Sequence, residues 1–203
     1  IISGLVGSEM CIRDSHITAM GALRDRTNCV TVMGEQSPVD VVSMRVSDGE
    51  RVTIEGIDLT AMHTPGHTDD SYCFRMDDRV FTGDTLLIRG TGRTDFQNGD
   101  AGQQYDSLFD GVLKLPESTL VYPAHDYKGD MVSTIGEERA NNPRLQVGSR
   151  AEYIELMAGL NLPNPKMMDV AVPENIRMGL NLERQREVAT VTPESIIMDN
   201  AEG

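Results

Sequence analysis

The chain has 203 residues, 32 of them acidic and 18 basic, so its formal net charge is −14. This acidic balance argues against nucleic acid and anionic membranes as partners, since both bind basic surfaces. Mean hydropathy is −0.30 and no apolar run reaches the length of a membrane span, so we expect a folded domain without a membrane segment. The three cysteines are widely spaced and form no CxxC, which argues against a thiolate-rich metal site and a disulfide framework and favours a reducing, cytoplasmic location.

The first half of the chain predicts one helix followed by strands. Apolar residues at helical spacing predict a helix over residues 17–26, and a β-rich run follows at 29–33. Residues 50–62 alternate between apolar and polar side chains on both sides of a turn, which predicts a hairpin. Residues 71–84 predict a second hairpin, with the turn at Asp77-Asp78.

The second half mixes helical and strand patterns. We expect a polar, glycine-rich loop over 89–102, an amphipathic helix over 104–115 and an apolar strand over 119–126. Further helices are predicted near 132–141 and 150–159. Hairpins followed by helices with interspersed strands indicate an α/β layered sandwich rather than a Rossmann alternation.

Two pairs of acidic residues lie in predicted turns. Asp69 and Asp70 follow the first hairpin, and Asp77 and Asp78 lie inside the second. Aspartates are common in solvated turns, so we expect all four carboxylates to be exposed.

The histidines collect where predicted elements end. The chain has four, His16, His63, His67 and His125, and three of them lie where a strand or helix meets a loop. Asp84 ends an apolar strand in the same way. Two histidines and an aspartate from separate strand ends can bind a divalent metal, and this ligand set suits zinc or iron. The alternative for each histidine is a loop residue that only makes hydrogen bonds.

Three motifs resemble a known family. HTPGHT at 63–68, FTGDT at 81–85 and YPAHD at 122–126 resemble the later metal-binding motifs of the metallo-β-lactamase fold, in order and spacing. The resemblance implies an αββα sandwich with the metal site at one edge.

Two further segments narrow the resemblance. GRTDFQ at 92–97 and EERANNPRL at 137–145 are similar to the persulfide dioxygenases, also called sulfur dioxygenases. The similarity extends from about His16 to about Leu180.

The first metal motif of the fold is missing. The family pattern HxHxDH should precede HITAMGALR at 16–24, but the chain reads MCIRDS at 10–15, with Cys11 at the position of the first ligand. We therefore expect residues 1–15 to be a foreign segment. The domain would then span 16–203 and lack its N-terminal strands.

The resemblance implies an Fe(II)-dependent enzyme that oxidises glutathione persulfide with O2 to sulfite and glutathione. In this family two histidines and one aspartate hold a single iron; His67 and Asp84 match two of these ligands, and the third is missing in this sequence. One alternative is a zinc-dependent hydrolase of hydroxyacylglutathione thioesters. Another is a non-catalytic remnant that has lost its metal site. A homodimer is considered as the assembly.

The resemblance also assigns residues around the metal. His16 and His125 match positions that bind a second metal in two-metal relatives; with one iron they would support the site or face the substrate. Arg93, Thr68 and Tyr127 are candidate substrate contacts, with Arg93 meeting a glutathione carboxylate.

Structural alternatives stand beside these assignments. Arg93 could pair with Asp95 inside the same loop, and Thr68 could stabilise its own turn. Asp95, Asp126 and His63 are expected to support loops, Asp126 through hydrogen bonds to the backbone.

Overall fold

The described part of the chain is not continuous. The computed structural model describes residues 18–39, 42–54, 56–96, 98–126, 128–162, 173–177 and 179. The expectations for residues 1–15, His16 and Tyr127 lie outside these residues.

The described residues include four α-helices and ten strands, together with a helical segment at 173–176. The helices are α1 (Met20–Thr27), α2 (Ala101–Asp106), α3 (Ile135–Asn141) and α4 (Arg150–Ala158). The strands are β1 (Val32–Gly34), β2 (Met44–Val46), β3 (Arg51–Ile54), β4 (Ile57–His63), β5 (Tyr72–Arg75), β6 (Arg79–Gly83), β7 (Leu86–Leu87), β8 (Gly90–Thr91), β9 (Leu120–Pro123) and β10 (Ser133–Thr134). Within these residues, no helix has the length and hydropathy that a membrane span needs.

A six-stranded sheet in the order β10-β9-β6-β5-β4-β3 forms the centre of the fold. β6 runs parallel to β9, and both β4 and β6 run antiparallel to β5, so β4, β6 and β9 share one direction. The carboxyl ends of these three strands therefore lie at the same edge of the sheet. This edge is where the predicted motifs begin.

Both predicted hairpins are confirmed. β3 and β4 pair antiparallel with Val52 opposite Leu59, and β5 and β6 pair with Phe74 opposite Phe81. Alternation places successive side chains on opposite faces of a strand. The alternating sequence pattern was therefore sufficient to identify both hairpins.

The two faces of the sheet pack against different partners. On one face, strand residues meet the helices in a cluster of Cys73, Val80, Val121, Leu108, Val112, Ile135 and Tyr153. On the other face, a second cluster joins the sheet to β2 through Val46, Val52, Leu59, Ala61, Tyr72 and Phe74. Helices on one side and the β1–β2 pair on the other give the layered arrangement that the sequence predicts.

The predicted helix over 104–115 begins earlier than expected. α2 starts at Ala101 because the Asp100 side chain accepts a hydrogen bond from the backbone N–H of Gln103 at 2.7 Å. The helix continues through a π-helical turn (Ser107–Gly111) and a 3-10 turn (Val112–Lys114). The expected loop over 89–102 also contains β8, which pairs with β7 over only two residues and has no strand pattern of its own.

Candidate metal centre

The end of β6 presents Asp84 at the sheet edge. Gly83 has a φ of 54°, a left-handed conformation that glycine adopts without strain, and it turns the chain directly before Asp84. The Gly83 carbonyl accepts a hydrogen bond from the N–H of Ala124 at 3.0 Å, which ties the end of β6 to the end of β9. Asp84 and His125 are thereby brought to neighbouring positions.

The side chains of His67 and Asp84 face each other at this edge. His67 Nε2 lies 3.6 Å from Asp84 Oδ2, and the two side chains are 13% and 16% exposed. Two metal–ligand bonds of about 2.1 Å each can span this separation on a single ion. The structure thus brings together the two residues that the sequence predicts as ligands.

A backbone carbonyl determines which nitrogen of His67 faces Asp84. His67 Nδ1 lies 2.8 Å from the carbonyl oxygen of Arg93. A carbonyl can only accept, so Nδ1 carries the proton, and the neutral ring has its lone pair on Nε2. A lone pair then faces a carboxylate oxygen, and a cation between the two atoms satisfies both. This is the support that metal-ligating histidines commonly have.

His125 contacts the same carboxylate from the other side. Its Nδ1 lies 2.5 Å from Asp84 Oδ1, so the ring donates to the oxygen that does not face His67. Over the described residues, no group of three His, Cys, Asp or Glu side chains is arranged to hold a metal ion. His67 and Asp84 can therefore contribute two ligands. His125 orients the Asp84 carboxylate by donating to the oxygen that does not face His67.

The loop that supplies the Arg93 carbonyl packs tightly against both candidate ligands. A Cβ atom on Gly92 would lie 2.2 Å from the Asp84 carbonyl oxygen and 2.9 Å from His67 Cγ and Nδ1. Only glycine fits at this position. The sequence interpretation missed Gly92. The GTG run before Arg93 was the available signal, but a short glycine-rich run does not by itself indicate which residues pack against it.

Helix α2 holds the turn that carries His67. The Gly66 carbonyl accepts from the N–H of Asp100 at 2.8 Å, and the Pro65 carbonyl accepts from Ser107 Oγ at 2.7 Å. Gly66 lies so close to Gln104 that a Cβ there would be 2.4 Å from the Gln104 Cα. The His67 side chain is thus fixed from its own turn as well as through Arg93.

His63 makes contacts away from Asp84. Its backbone N–H donates to Asp48 Oδ1 at 2.7 Å, and its Nε2 lies 2.9 Å from the Asp69 carbonyl, to which it donates. The ring also packs on Tyr72 with the centroids 5.1 Å apart. These contacts fit the expected role in loop support.

The turn after His67 is buried, contrary to part of the sequence interpretation. Asp69, Asp77 and Asp78 are exposed, but Asp70 is only 2% exposed. Asp70 Oδ1 accepts from Thr68 Oγ1 at 2.6 Å, whereas Oδ2 has no hydrogen-bond partner among the described residues. The expectation that Asp70 is solvated was wrong because the turn folds its side chain inward. Burial raises the pKa of Asp70 above its ordinary value.

Thr68 is buried in the same turn. Its hydroxyl lies within hydrogen-bond distance of both Asp70 Oδ1 and Ser71 Oγ, at 2.6 and 2.8 Å. The observed contacts correspond to the turn-stabilising alternative, and they leave Thr68 almost no surface for a substrate.

Arg93 is paired inside its own loop. Its Nε and one terminal nitrogen donate to the two oxygens of Asp95 at 2.7 and 2.6 Å, and the guanidinium lies 3.7 Å from the centroid of the Phe96 ring. These hydrogen bonds hold the pKa of the Asp95 carboxyl below its ordinary value. The structural alternative for Arg93 is thus observed, with the guanidinium next to the loop that contacts His67.

Asp126 supports the loop after β9. Its Oδ2 accepts from the backbone N–H groups of Lys128, at 3.1 Å, and of Gly129. These are the backbone hydrogen bonds that the sequence interpretation assigned to it.

Comparisons with known proteins show the family of the chain. Residues 16–125 match the model of the Metallo-beta-lactamase superfamily, which is more than half of the chain. The chain belongs to this superfamily. A metallo-beta-lactamase from Staphylococcus aureus, 20% identical, has the same fold with a TM-score of 0.77 over 85% of this chain and 57% of that one.

Within the superfamily, the chain is similar to persulfide dioxygenases named ETHE1. The human mitochondrial persulfide dioxygenase ETHE1 is 43% identical over 168 residues, which are 81% of this chain and 65% of the human protein. The crystal structure of ETHE1 from Myxococcus xanthus is 49% identical and has a TM-score of 0.81, covering 84% of this chain and 75% of that one. The family resemblance predicted from the motifs is confirmed. The chain spans just under two thirds of the human relative.

The first prediction concerns Gly92. Gly92→Ala should push the loop away from His67 and Asp84 and weaken Zn(II) or Fe(II) binding by about 10–100-fold, as loss of the groups that support a ligand usually does. Chelator competition measures the dissociation constant. Gly90→Ala is the matched control, since the nearest atom to its Cβ would be Leu87 Cβ at 3.9 Å. Equal affinities for the two variants would contradict the expected contact.

The second prediction concerns the buried carboxyl of Asp70. Because its folded pKa is raised, the folded state favours the protonated form, and this contribution to stability is lost as the pH rises above about 4 towards the folded pKa. Asp70→Asn should therefore raise the free energy of unfolding at neutral pH and reduce its fall with rising pH. Urea unfolding of the metal-free protein across this range measures both, with the exposed Asp77→Asn as control. Identical pH profiles for Asp70→Asn and the unsubstituted chain would show that the carboxyl is not strained.

Proposed function

We propose that this chain is the larger part of a glutathione-dependent persulfide dioxygenase with one Fe(II), held in part by His67 and Asp84. The enzyme oxidises glutathione persulfide with O2 to sulfite and glutathione, and water supplies the third oxygen of sulfite. The observation that carries the proposal is the 3.6 Å approach of His67 Nε2 to Asp84 Oδ2, in a chain that is 49% identical to a protein named ETHE1.

The donor set favours iron in this proposal. A site with two histidines and one carboxylate leaves coordination positions open, and iron supplies the redox chemistry that lets O2 react with sulfur. Zinc supplies only Lewis-acid chemistry and suits hydrolysis. The residues of this chain contribute orientation: the Arg93 carbonyl sets the tautomer of His67, and His125 donates to Asp84, so that Asp84 Oδ2 stays turned towards His67.

Arg93 remains the proposed contact for a glutathione carboxylate. Its side chain is 12% exposed, and Asp95, which is 52% exposed, occupies two of its donors. A substrate carboxylate would share or replace Asp95 in the same bidentate geometry. Tyr127 and His16 stay predictions, because both lie outside the described residues, and so does a homodimer. The cytoplasmic location also stays a prediction, and the human relative is named as a mitochondrial protein.

The third ligand depends on what precedes residue 16. We propose that residues 1–15 are foreign and that the true reading frame continues upstream into an HxHxDH motif. Reading the source DNA across these codons tests this directly. An intact motif would supply the missing histidine ligand. Codons that confirm Cys11, Arg13 and Ser15 in a continuous gene would contradict the proposed third ligand and favour the non-catalytic alternative.

A further prediction tests the activity in the protein from the verified reading frame. Purified protein loaded with Fe(II) should consume O2 in the presence of glutathione persulfide and release sulfite. Asp84→Asn removes a charged ligand and should lower metal affinity and O2 uptake by more than about 100-fold. The exposed Asp77→Asn is the matched control and should keep both. An oxygen electrode and a sulfite assay provide the measurements.

The zinc hydrolase gives a different outcome in the same assay. Turnover of a glutathione thioester without O2 consumption, supported by Zn(II), would replace the dioxygenase proposal with that alternative. A folded protein that binds no metal and turns over neither substrate would favour the non-catalytic remnant.

A further inference from the structure

The loop over residues 89–93 is held in place mainly by side chains from distant parts of the chain. Its strand pairing within the described residues, between β7 and β8, covers two residues on each side. The carbonyl oxygens of residues 90, 91, 92 and 93 each accept a hydrogen bond from a different side chain. In order, the donors are Asn142 at 2.9 Å, Arg144, Gln104 at 3.1 Å and His67 at 2.8 Å. The loop therefore links His67 to the segment that begins with α3.

Glu138 on α3 holds the start of this loop. It is fully buried and accepts four hydrogen bonds: from the Arg89 backbone N–H at 2.8 Å, Arg89 Nη1 at 3.0 Å, Ser133 Oγ at 2.6 Å and Asn142 Nδ2 at 2.8 Å. Arg89 has a φ of 58°, a conformation that is strained for a residue with a Cβ and persists only when its surroundings impose it. The carboxylate of Glu138 binds both the backbone and the side chain of that residue.

Asn142 connects Glu138 to two further positions of the loop by hydrogen bonds. Its Nδ2 lies 2.8 Å from Glu138 Oε2, 2.9 Å from the Gly90 carbonyl and 3.3 Å from the Leu87 carbonyl. Asn142 is itself fully buried. Glu138 and Asn142 thus bind the backbone of the turn over residues 87–90. This turn leads directly to Gly92 and Arg93.

We propose that Glu138 is a positioning residue for the metal centre. By fixing Arg89 and Asn142, it sets the path of the loop whose last carbonyl orients the His67 ring and whose Gly92 fits between His67 and Asp84. The inference rests on the proposed metal centre and assigns a role to the EERANNPRL segment that the dioxygenase proposal does not use. A purely structural Glu138 would only dock α3, and its loss would lower stability without changing the metal site.

Glu138→Gln and Glu137→Gln form a matched pair. Glu137 lies next to Glu138 on the same helix and also pairs with Arg89, but its side chain is 49% exposed and it makes no contact with the Arg89 backbone N–H. Glu138→Gln should raise the dissociation constant for Fe(II) and Zn(II) by about tenfold, and Glu137→Gln should leave it unchanged. The titrations are run by chelator competition, at a temperature where circular dichroism shows all samples folded. Equal metal affinities for the two variants would overturn the proposal.

A second readout needs neither metal nor activity. In metal-free protein with ¹⁵N-labelled histidine, the His67 Nδ1–H resonance should be protected in the unsubstituted chain and in Glu137→Gln, and lost to exchange in Glu138→Gln. A protected resonance in Glu138→Gln would overturn the proposal. If the protein from the verified reading frame binds no metal or consumes no O2, the proposed function fails, while this readout still decides the role of Glu138.

Arg89→Met covers the case in which Glu138→Gln does not fold. This variant keeps the backbone N–H that donates to Glu138 and removes the guanidinium that does so. Metal affinity and the His67 signal should shift in the same direction as for Glu138→Gln, and no shift in either would count against the proposal.

Discussion

The hydrogen bond from His67 Nδ1 to the Arg93 carbonyl is the contact on which the site depends. It joins two loops 26 residues apart and fixes the imidazole so that Nε2 faces the Asp84 carboxylate. Without it, the ring could rotate or change tautomer and offer Asp84 an N–H, which forms an ordinary hydrogen bond and needs no cation. With it, two acceptors face each other across 3.6 Å. In this neutral tautomer, a cation between Nε2 and Oδ2 would satisfy both atoms.

The sheet makes this contact possible by bringing three strand ends to one edge. β4, β6 and β9 run in the same direction, and the hydrogen bond from Ala124 to the Gly83 carbonyl fixes the ends of two of them relative to each other. Asp84 and His125 therefore occupy rigid backbone, whereas His67 lies in a turn that α2 must support. The positions of the candidate ligands therefore depend both on the sheet edge and on two loops that side chains hold in place.

Local patterns predicted the parts of the structure that local forces determine. The hairpins followed from alternation, and the pairing of His67 with Asp84 followed from the family resemblance of their motifs. The burial of Asp70 did not follow, because the same Asp-Asp pair is solvated at residues 77–78 and only the fold of the turn distinguishes them. Gly92 and Glu138 act through contacts with residues far away in the sequence, and no spacing rule detects such contacts.

Arg93 contacts both a candidate metal ligand and a partly exposed carboxylate near it. Its carbonyl faces inward to His67, while its guanidinium faces Asp95, a carboxylate that is about half exposed. In a chain with a net charge of −14, this guanidinium would be a local attraction for the proposed anionic substrate. A carboxylate that competes with Asp95 acts on the same residue whose backbone holds His67. In the proposed function, Arg93 would thus serve both tasks, its guanidinium contacting the substrate carboxylate and its carbonyl orienting His67.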